Sequence, residues 1–144
     1  MIRVAVAGGF DPLHIGHLCH LQKAKALGDY LIVMVSNDED MIRKKGYCFM
    51  PLEDRIAILK ELRCIDEVIA TVDDDGTQAK TLKLIKPDIL AKGGDRTPDN
   101  MPQNEIESCK EIGCKIVYGV GTQLRESSKL VGNLLKQVKD AKTK

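Results

Sequence analysis

Five short apolar runs, with stretches of helical periodicity between them, constrain this chain more than any other feature. The runs are IRVAVA (Ile2 to Ala7), YLIVMV (Tyr30 to Val35), DEVIATV (Asp66 to Val72), DILAK (Asp88 to Lys92) and KIVYGV (Lys115 to Val120). They are mostly continuous and rich in Val and Ile, the pattern of strands covered on both faces. Strands alternating with helices form parallel β-α-β units joined by right-handed crossovers. The expectation is an α/β chain built on a five-stranded parallel sheet.

The intervening stretches supply the helices. His17 to Leu27 precedes Gly28, a helix stop. PLEDRIAILKEL, from Pro51, opens with proline and acidic residues, which suit a helix N-terminus, and its Leu52, Ile56 and Leu59 share one face. TQAKTLKLI, from Thr77, stops before Pro87, and NEIESCKEI, from Asn104, ends at Gly113. A last helix is expected from near Glu126, with Leu130, Leu134 and Val138 as its apolar stripe. The segment EDMIRKKGYCFM has weak periodicity and reads as a mobile loop. One domain is expected over residues 1–139, with residues 140–144 as a frayed tail.

Composition bounds the function. A chain of 144 residues suits one core, and 43% hydrophobic with 30% charged residues fits a soluble globule. Lys and Arg (22) nearly cancel Asp and Glu (21), so nothing calls for bulk nucleic-acid binding or a membrane surface. No apolar run approaches a membrane span, and MIRVAVAGGF is interrupted too soon for a secretory signal. The five cysteines form no CxxC pair. Cys109 and Cys114 are a weak metal spacing without a second cluster, and free thiols in a cytoplasmic protein are expected.

The chemistry concentrates after the first strand, in GGFDPLHIGH (Gly8 to His17). In an open parallel sheet, ligands bind beyond the carboxyl ends of the strands. Gly8 and Gly9 let backbone approach a ligand, and the next helix, starting near Ile15 or Gly16, offers free amides to a phosphate. His14 and His17 stand three apart, so both can face one anion. A phosphoryl centre needs its spread charge neutralised, and held imidazoles and amides do this. The spacing fits neither the dinucleotide fingerprint nor the P-loop. Zinc is a poorer choice, because HxxH lacks a third ligand, and a plain turn with surface histidines is the bland alternative.

GGFDPLHIGH resembles the HxGH signature of the nucleotidyltransferase superfamily, whose members include glycerol-3-phosphate cytidylyltransferase, phosphopantetheine adenylyltransferase and heptose-phosphate adenylyltransferase. HLQKAKALGDYLIVMVSND is similar to its first helix and second strand. KKGYCFMPLEDRIAILKELRCIDEVI is similar to its lysine loop and the following helix. KPDILAKGGDRTPD resembles the segment after the fourth strand, and SSKL resembles the Ser/Thr-rich helix start near the end. The resemblance implies a Rossmann-like three-layer α/β/α fold and a magnesium nucleoside triphosphate (Mg2+ with the NTP). It also implies attack of a substrate phosphate on the α-phosphorus, with release of pyrophosphate.

The same resemblance distributes roles. His14 and His17 stabilise the transition state; Gly8, Gly9 and Phe10 lie against the nucleotide; Asp11 serves local turn structure or contacts substrate. Lys45, with Lys44 as the close alternative, closes over the triphosphate, and Arg55 binds phosphate unless it pairs with Glu53 or Asp54. In Lys92, Gly93, Gly94 and Asp95, backbone groups read a base edge and Asp95 accepts from a base amino group or a ribose hydroxyl. Ser127 and Ser128 donate to phosphate at a helix start. Asp73, Asp74 and Asp75 read as a polar loop rather than a metal site, and His20 and the cysteines as structural.

Two departures from the superfamily pattern stand out. Arg125 and Glu126 directly precede the two serines, which displaces charges at the terminal motif. The kinase domain that accompanies some heptose enzymes is absent, which implies a stand-alone transferase. The expected partners are a nucleoside triphosphate and a small phosphorylated substrate, with no nucleic acid and no membrane, in a homodimer by resemblance alone. KGGD places adenylyl transfer to a sugar phosphate ahead of cytidylyl transfer to a polyol phosphate, with flavin adenylylation behind both. A nucleotide-binding module without catalysis is the competing class. An aminoacyl-tRNA synthetase is set aside for want of length and of a basic RNA-binding patch.

Overall fold

The structure is a computed structural model and describes residues 1–94, 96–121 and 127–143. Five parallel strands run β1 (Arg3–Gly8), β2 (Tyr30–Val35), β3 (Glu67–Ala70), β4 (Ile89–Ala91) and β5 (Lys115–Val117). Their order across the sheet is β3-β2-β1-β4-β5. Four lie within the apolar runs, and β1 overlaps its run and extends one residue past it, to Gly8. The helices are α1 (Ile15–Lys25), α2 (Asp38–Lys45), α3 (Leu52–Lys60), α4 (Ala79–Ile85), α5 (Gln103–Ile112) and α6 (Ser127–Thr143). The result is the expected Rossmann-like α/β/α sandwich.

Alternation along the strands divides the core in two. Val4 and Val6 of β1, with Leu31, Val33 and Val35 of β2, face one side, where Leu21 and Ala24 of α1 and Leu59 of α3 cover them. Leu52 and Ile56 pack against the same cluster, so the face inferred for α3 is the buried one. Ala5, Met34 and Leu90 face the other side, against Leu82 of α4 and Cys109 of α5. These side chains leave water almost entirely, each fully buried Leu or Val contributing on the order of 1.5–3 kcal/mol. The chain moves outward from β1 to β3, then crosses back to place β4 on the other flank of β1. This reversal opens a crevice at the carboxyl ends of β1 and β4.

Three segments differ from the sequence reading. Residues 38–45 are not a loop but α2. Asn37 caps it by accepting the Asp40 N–H (2.8 Å), Asp38, Glu39 and Asp40 occupy its first turn, and Arg43, Lys44 and Lys45 its last. That charge order complements the helix dipole, and Gly46 ends the helix at φ 85°. The apolar residues are too few for periodicity to show. Second, α6 continues to Thr143, past the point where fraying was expected. Third, its apolar stripe is not a core face. Leu134 and Val138 stay exposed and Leu130 is half-buried, because no other described element packs broadly along the helix.

Candidate active site

Strand β1 ends at Gly8, and the chain passes through Gly9 to Phe10, which adopts a left-handed φ of 52°. A bulky residue holds that conformation only where its surroundings fix it. Here the Phe10 ring is buried, lies across Gly8, where a Cβ would meet it at 3.0 Å, and meets the His17 ring edge-on at 4.9 Å. Phe10 therefore shapes the turn from beneath and backs one of the two imidazoles.

The imidazoles are fixed by the start of α1. His14 is its N-cap, and its Nδ1 accepts the N–H groups of Gly16 (3.1 Å) and His17 (3.4 Å). His17 reciprocates, its Nδ1 accepting the His14 N–H at 3.2 Å. The rings stack with centroids 3.7 Å apart. A nitrogen that accepts from an amide carries no proton, so each neutral ring keeps its proton on Nε2. Burial, then the neighbouring His14, Lys45 and His20, push the His17 pKa down to about 3. His17 is thus a neutral N–H donor at physiological pH, and an anion can approach without a proton first being bound.

These groups line a cavity of about 580 Å³ at the crevice, whose wall also includes Gly8, Gly9, Lys44 and Lys45. The Lys45 ammonium donates to the Asp11 carbonyl at 3.2 Å. Its pKa is lowered, first by partial burial, with Asp11 opposing and Arg55 adding to the shift. On the β4–β5 flank the wall continues through Lys92, Gly93, Gly94, Val120 and Gly121. Ser127 also reaches it, with its hydroxyl donating to the Pro12 carbonyl at 2.8 Å. On the β2 flank stand Ser36, Met41, Gly76 and Gln78. Asp95, Arg125, Glu126 and the side chain of Ser128 lie outside the described residues.

Two residues of the expected nucleotide-binding set, Arg55 and Asp11, bond within the protein itself. The Arg55 guanidinium is buried beneath the site. Nε donates to the Met50 carbonyl (2.9 Å), Nη1 to those of Gly9 (2.9 Å) and Ser36 (2.7 Å), and Nη2 to Asp38 Oδ1 (2.7 Å). Four of its five N–H groups are thus engaged within the protein, and its carboxylate partner is Asp38 rather than Glu53 or Asp54. It ties the ends of β1 and β2 to α2 and α3. Asp11 is also fully buried. Its carboxylate accepts the N–H groups of Phe49 and Met50, both at 2.7 Å, so it serves turn structure rather than substrate. Lys92 reaches the cavity with its charge already paired, its ammonium 3.0 Å from Glu105 Oε1.

Glu105 and Gln78 in the cavity wall have no role in the sequence reading, and His20, also there, is one that it reads as structural. The aspartate run resolves into separate tasks. Asp73 caps the start of α4 through the Lys80 and Thr81 N–H groups, and Asp75 turns back on Thr77. Among the described residues no group of three or more His, Cys, Asp or Glu side chains could hold a metal ion, and no helix is long and apolar enough to cross a membrane.

The chain that carries this turn matches the cytidylyltransferase-like family model over residues 5–134. The chain belongs to the cytidylyltransferase-like family. It is 39% identical over 117 residues to an FAD synthase of Pyrococcus abyssi, a match covering 80% of this chain and 76% of that one. It is 38% identical over 120 residues to the bifunctional protein HldE of Hahella chejuensis, covering 82% of this chain but only 23% of that protein. Among solved structures it is similar to a lipopolysaccharide core biosynthesis protein from Thermoplasma volcanium. There the TM-score is 0.69 and the identity 31%, with 87% of this chain and 99% of that one covered. This cytidylyltransferase-like chain is a nucleotidyltransferase.

Proposed function

We propose that the protein transfers an adenylyl group from ATP to a phosphate monoester on a polyhydroxylated skeleton. An oxygen of the acceptor phosphate attacks the α-phosphorus, the bond from that phosphorus to the bridging oxygen breaks, and pyrophosphate leaves. The observation that carries this reading is the pair of Nε2–H donors held by reciprocal capping. They supply fixed dipoles where negative charge gathers on the α-phosphate and the leaving pyrophosphate. Lys44 and Lys45 add positive charge on the same rim.

Magnesium belongs in this reading as the counter-ion of the triphosphate. The described groups around His14 and His17 are donors and ammonium groups, and both Asp11 oxygens are already used by amides. The residues therefore fit the anion, and the cation travels on its oxygens.

The sheet topology divides the cavity. The β4–β5 flank, with Gly93, Gly94 and Gly121, suits the nucleoside, and the β2 flank, with Ser36, Lys44 and Gln78, suits the acceptor. A sugar phosphate and the ribityl phosphate of FMN share the acceptor chemistry. The polar β2 flank favours the former. The FAD synthase relative, matched over most of its length, supports the latter. The test is pyrophosphate release from ATP or CTP with sugar phosphates, glycerol 3-phosphate and FMN in turn. Turnover with ATP and one of these acceptors is expected. Release only from CTP would overturn the adenylyl assignment, and silence throughout would leave a nucleotide-binding module.

A further inference from the structure

His20 lies one turn beyond His17 on α1 and lines the same cavity, but its ring is held in the opposite sense. Its Nδ1 is 2.5 Å from the Val120 carbonyl. A carbonyl only accepts, so Nδ1 carries the proton. Burial lowers the His20 pKa, with nearby Lys92 adding to the effect and the Val120 contact opposing it. The ring is therefore neutral, and Nε2 holds a lone pair. Among the described residues no group occupies that nitrogen. The cavity wall thus includes two rings at the helix start that carry their proton on Nε2 and one ring further along whose Nε2 is an acceptor.

The position is built rather than incidental. Gly121 adopts φ 89° and packs so closely on α1 that a Cβ there would stand 3.0 Å from the His20 Cα. That contact brings the segment after β5 against the helix and presents the Val120 carbonyl to the ring. His20 follows His17 by about 4.5 Å of helix rise, on the same face and away from the N-terminal anion site. An acceptor is wrong for a phosphate oxygen and right for a hydroxyl or an amino group.

We propose that His20 is a specificity-determining residue whose Nε2 accepts a hydrogen bond from the nucleoside half of the bound nucleotide. This rests on the reading of the cavity as a nucleotide site. The donor is a ribose hydroxyl or the exocyclic amino group of the base, and its chemistry is the same in either case.

The experiment is calorimetric titration of the wild-type chain with ATP, 2′-deoxy-ATP, 3′-deoxy-ATP, purine riboside triphosphate and inorganic tripolyphosphate. The analogue that lacks the contacted donor should bind up to about tenfold more weakly than ATP, the scale of one hydrogen bond. In His20→Asn, the amide still donates to Val120 but no acceptor stands at the Nε2 position. This variant should bind ATP as weakly as that analogue and lose the discrimination, with tripolyphosphate affinity unchanged. In His20→Gln, whose amide oxygen reaches the Nε2 position, part of the discrimination should return. The Nε2 nitrogen resonance of wild-type His20 should shift on ATP binding and stay in place with tripolyphosphate. Equal affinity for ATP and all three analogues in the wild type, or full discrimination in His20→Asn, would overturn the proposal while leaving the nucleotide site standing. Failure of every nucleotide to bind the wild type would overturn both readings.

Discussion

His14 and His17 cap each other. The backbone N–H of each donates to the Nδ1 of the other, at 3.2 and 3.4 Å, and the two rings stack. The local pattern that starts α1 thus also sets the tautomers of both candidate catalytic groups. Adding a proton to His17 would break that cap and place a charge in a half-buried ring beside Lys45. Its folded pKa, about 3, lies below the ordinary histidine value, so the unfolded chain binds this proton first as pH falls. The stabilisation is present above pH 6.5 and drains away as pH drops toward 3. The His17 ring should keep its neutral nitrogen shifts at pH 5 in a long-range proton–nitrogen spectrum. A midpoint near 6.5 would refute the cap.

His17→Ala should abolish pyrophosphate release, with a loss of at least 10²-fold in turnover, the scale of one oriented donor. Loss of half of a capping box should cost only about 1 kcal/mol of stability. The check is turnover together with thermal melting. A variant that melts normally and turns over normally would refute the assigned role.

Lys45→Ala should lower kcat more than it weakens nucleotide binding, because the ammonium now rests on the Asp11 carbonyl and would move to the triphosphate as charge develops. Its depressed pKa predicts an alkaline fall in activity below the ordinary lysine value, absent from the variant. Steady-state kinetics against pH, with direct binding of ATP, separates the two effects. A change in affinity alone would make Lys45 a ground-state contact.

Arg55→Met should behave as a folding mutant. Four hydrogen bonds from one buried guanidinium hold Gly9, Ser36, Asp38 and Met50 together. Removal leaves three carbonyls without that donor, and a loss of about 3–5 kcal/mol is expected from a buried charged network broken on one side. Denaturant unfolding measures it. Unchanged stability with a raised KM for ATP would restore the phosphate-binding role.

Asp11→Asn should also act through structure. An amide offers one acceptor oxygen where the carboxylate offers two, so the Phe49 or Met50 N–H loses its partner. About 1–3 kcal/mol should be lost. Backbone hydrogen exchange at residues 49 and 50 should quicken before any effect on ATP affinity appears, and unchanged protection there would disprove the tether.

The chain order alone determined the five strands, their parallel sense and the placing of GGFDPLHIGH at a strand end, because burial on both faces and the turn residues leave local signatures. The capping signals of α2 were equally present, in Asn37, the acid-to-base order and Gly46, but with few apolar residues they carried no periodicity. What only the tertiary structure decided is which charges are already spent. For Arg55 the sequence left phosphate binding and a carboxylate partner both open, and for Asp11 substrate contact and turn structure. Partners far along the chain, from Gly9 through Asp38 to Met50, take their hydrogen-bonding capacity, and no spacing rule reveals such a partner. His20 is the converse case. Val120 lies a hundred residues away, and its carbonyl fixes one ring nitrogen as the donor and so leaves the other as an acceptor on a ring that lines the cavity. A hydrogen bond is a matter of distance and direction in space, and sequence position carries those only within a turn of helix or strand.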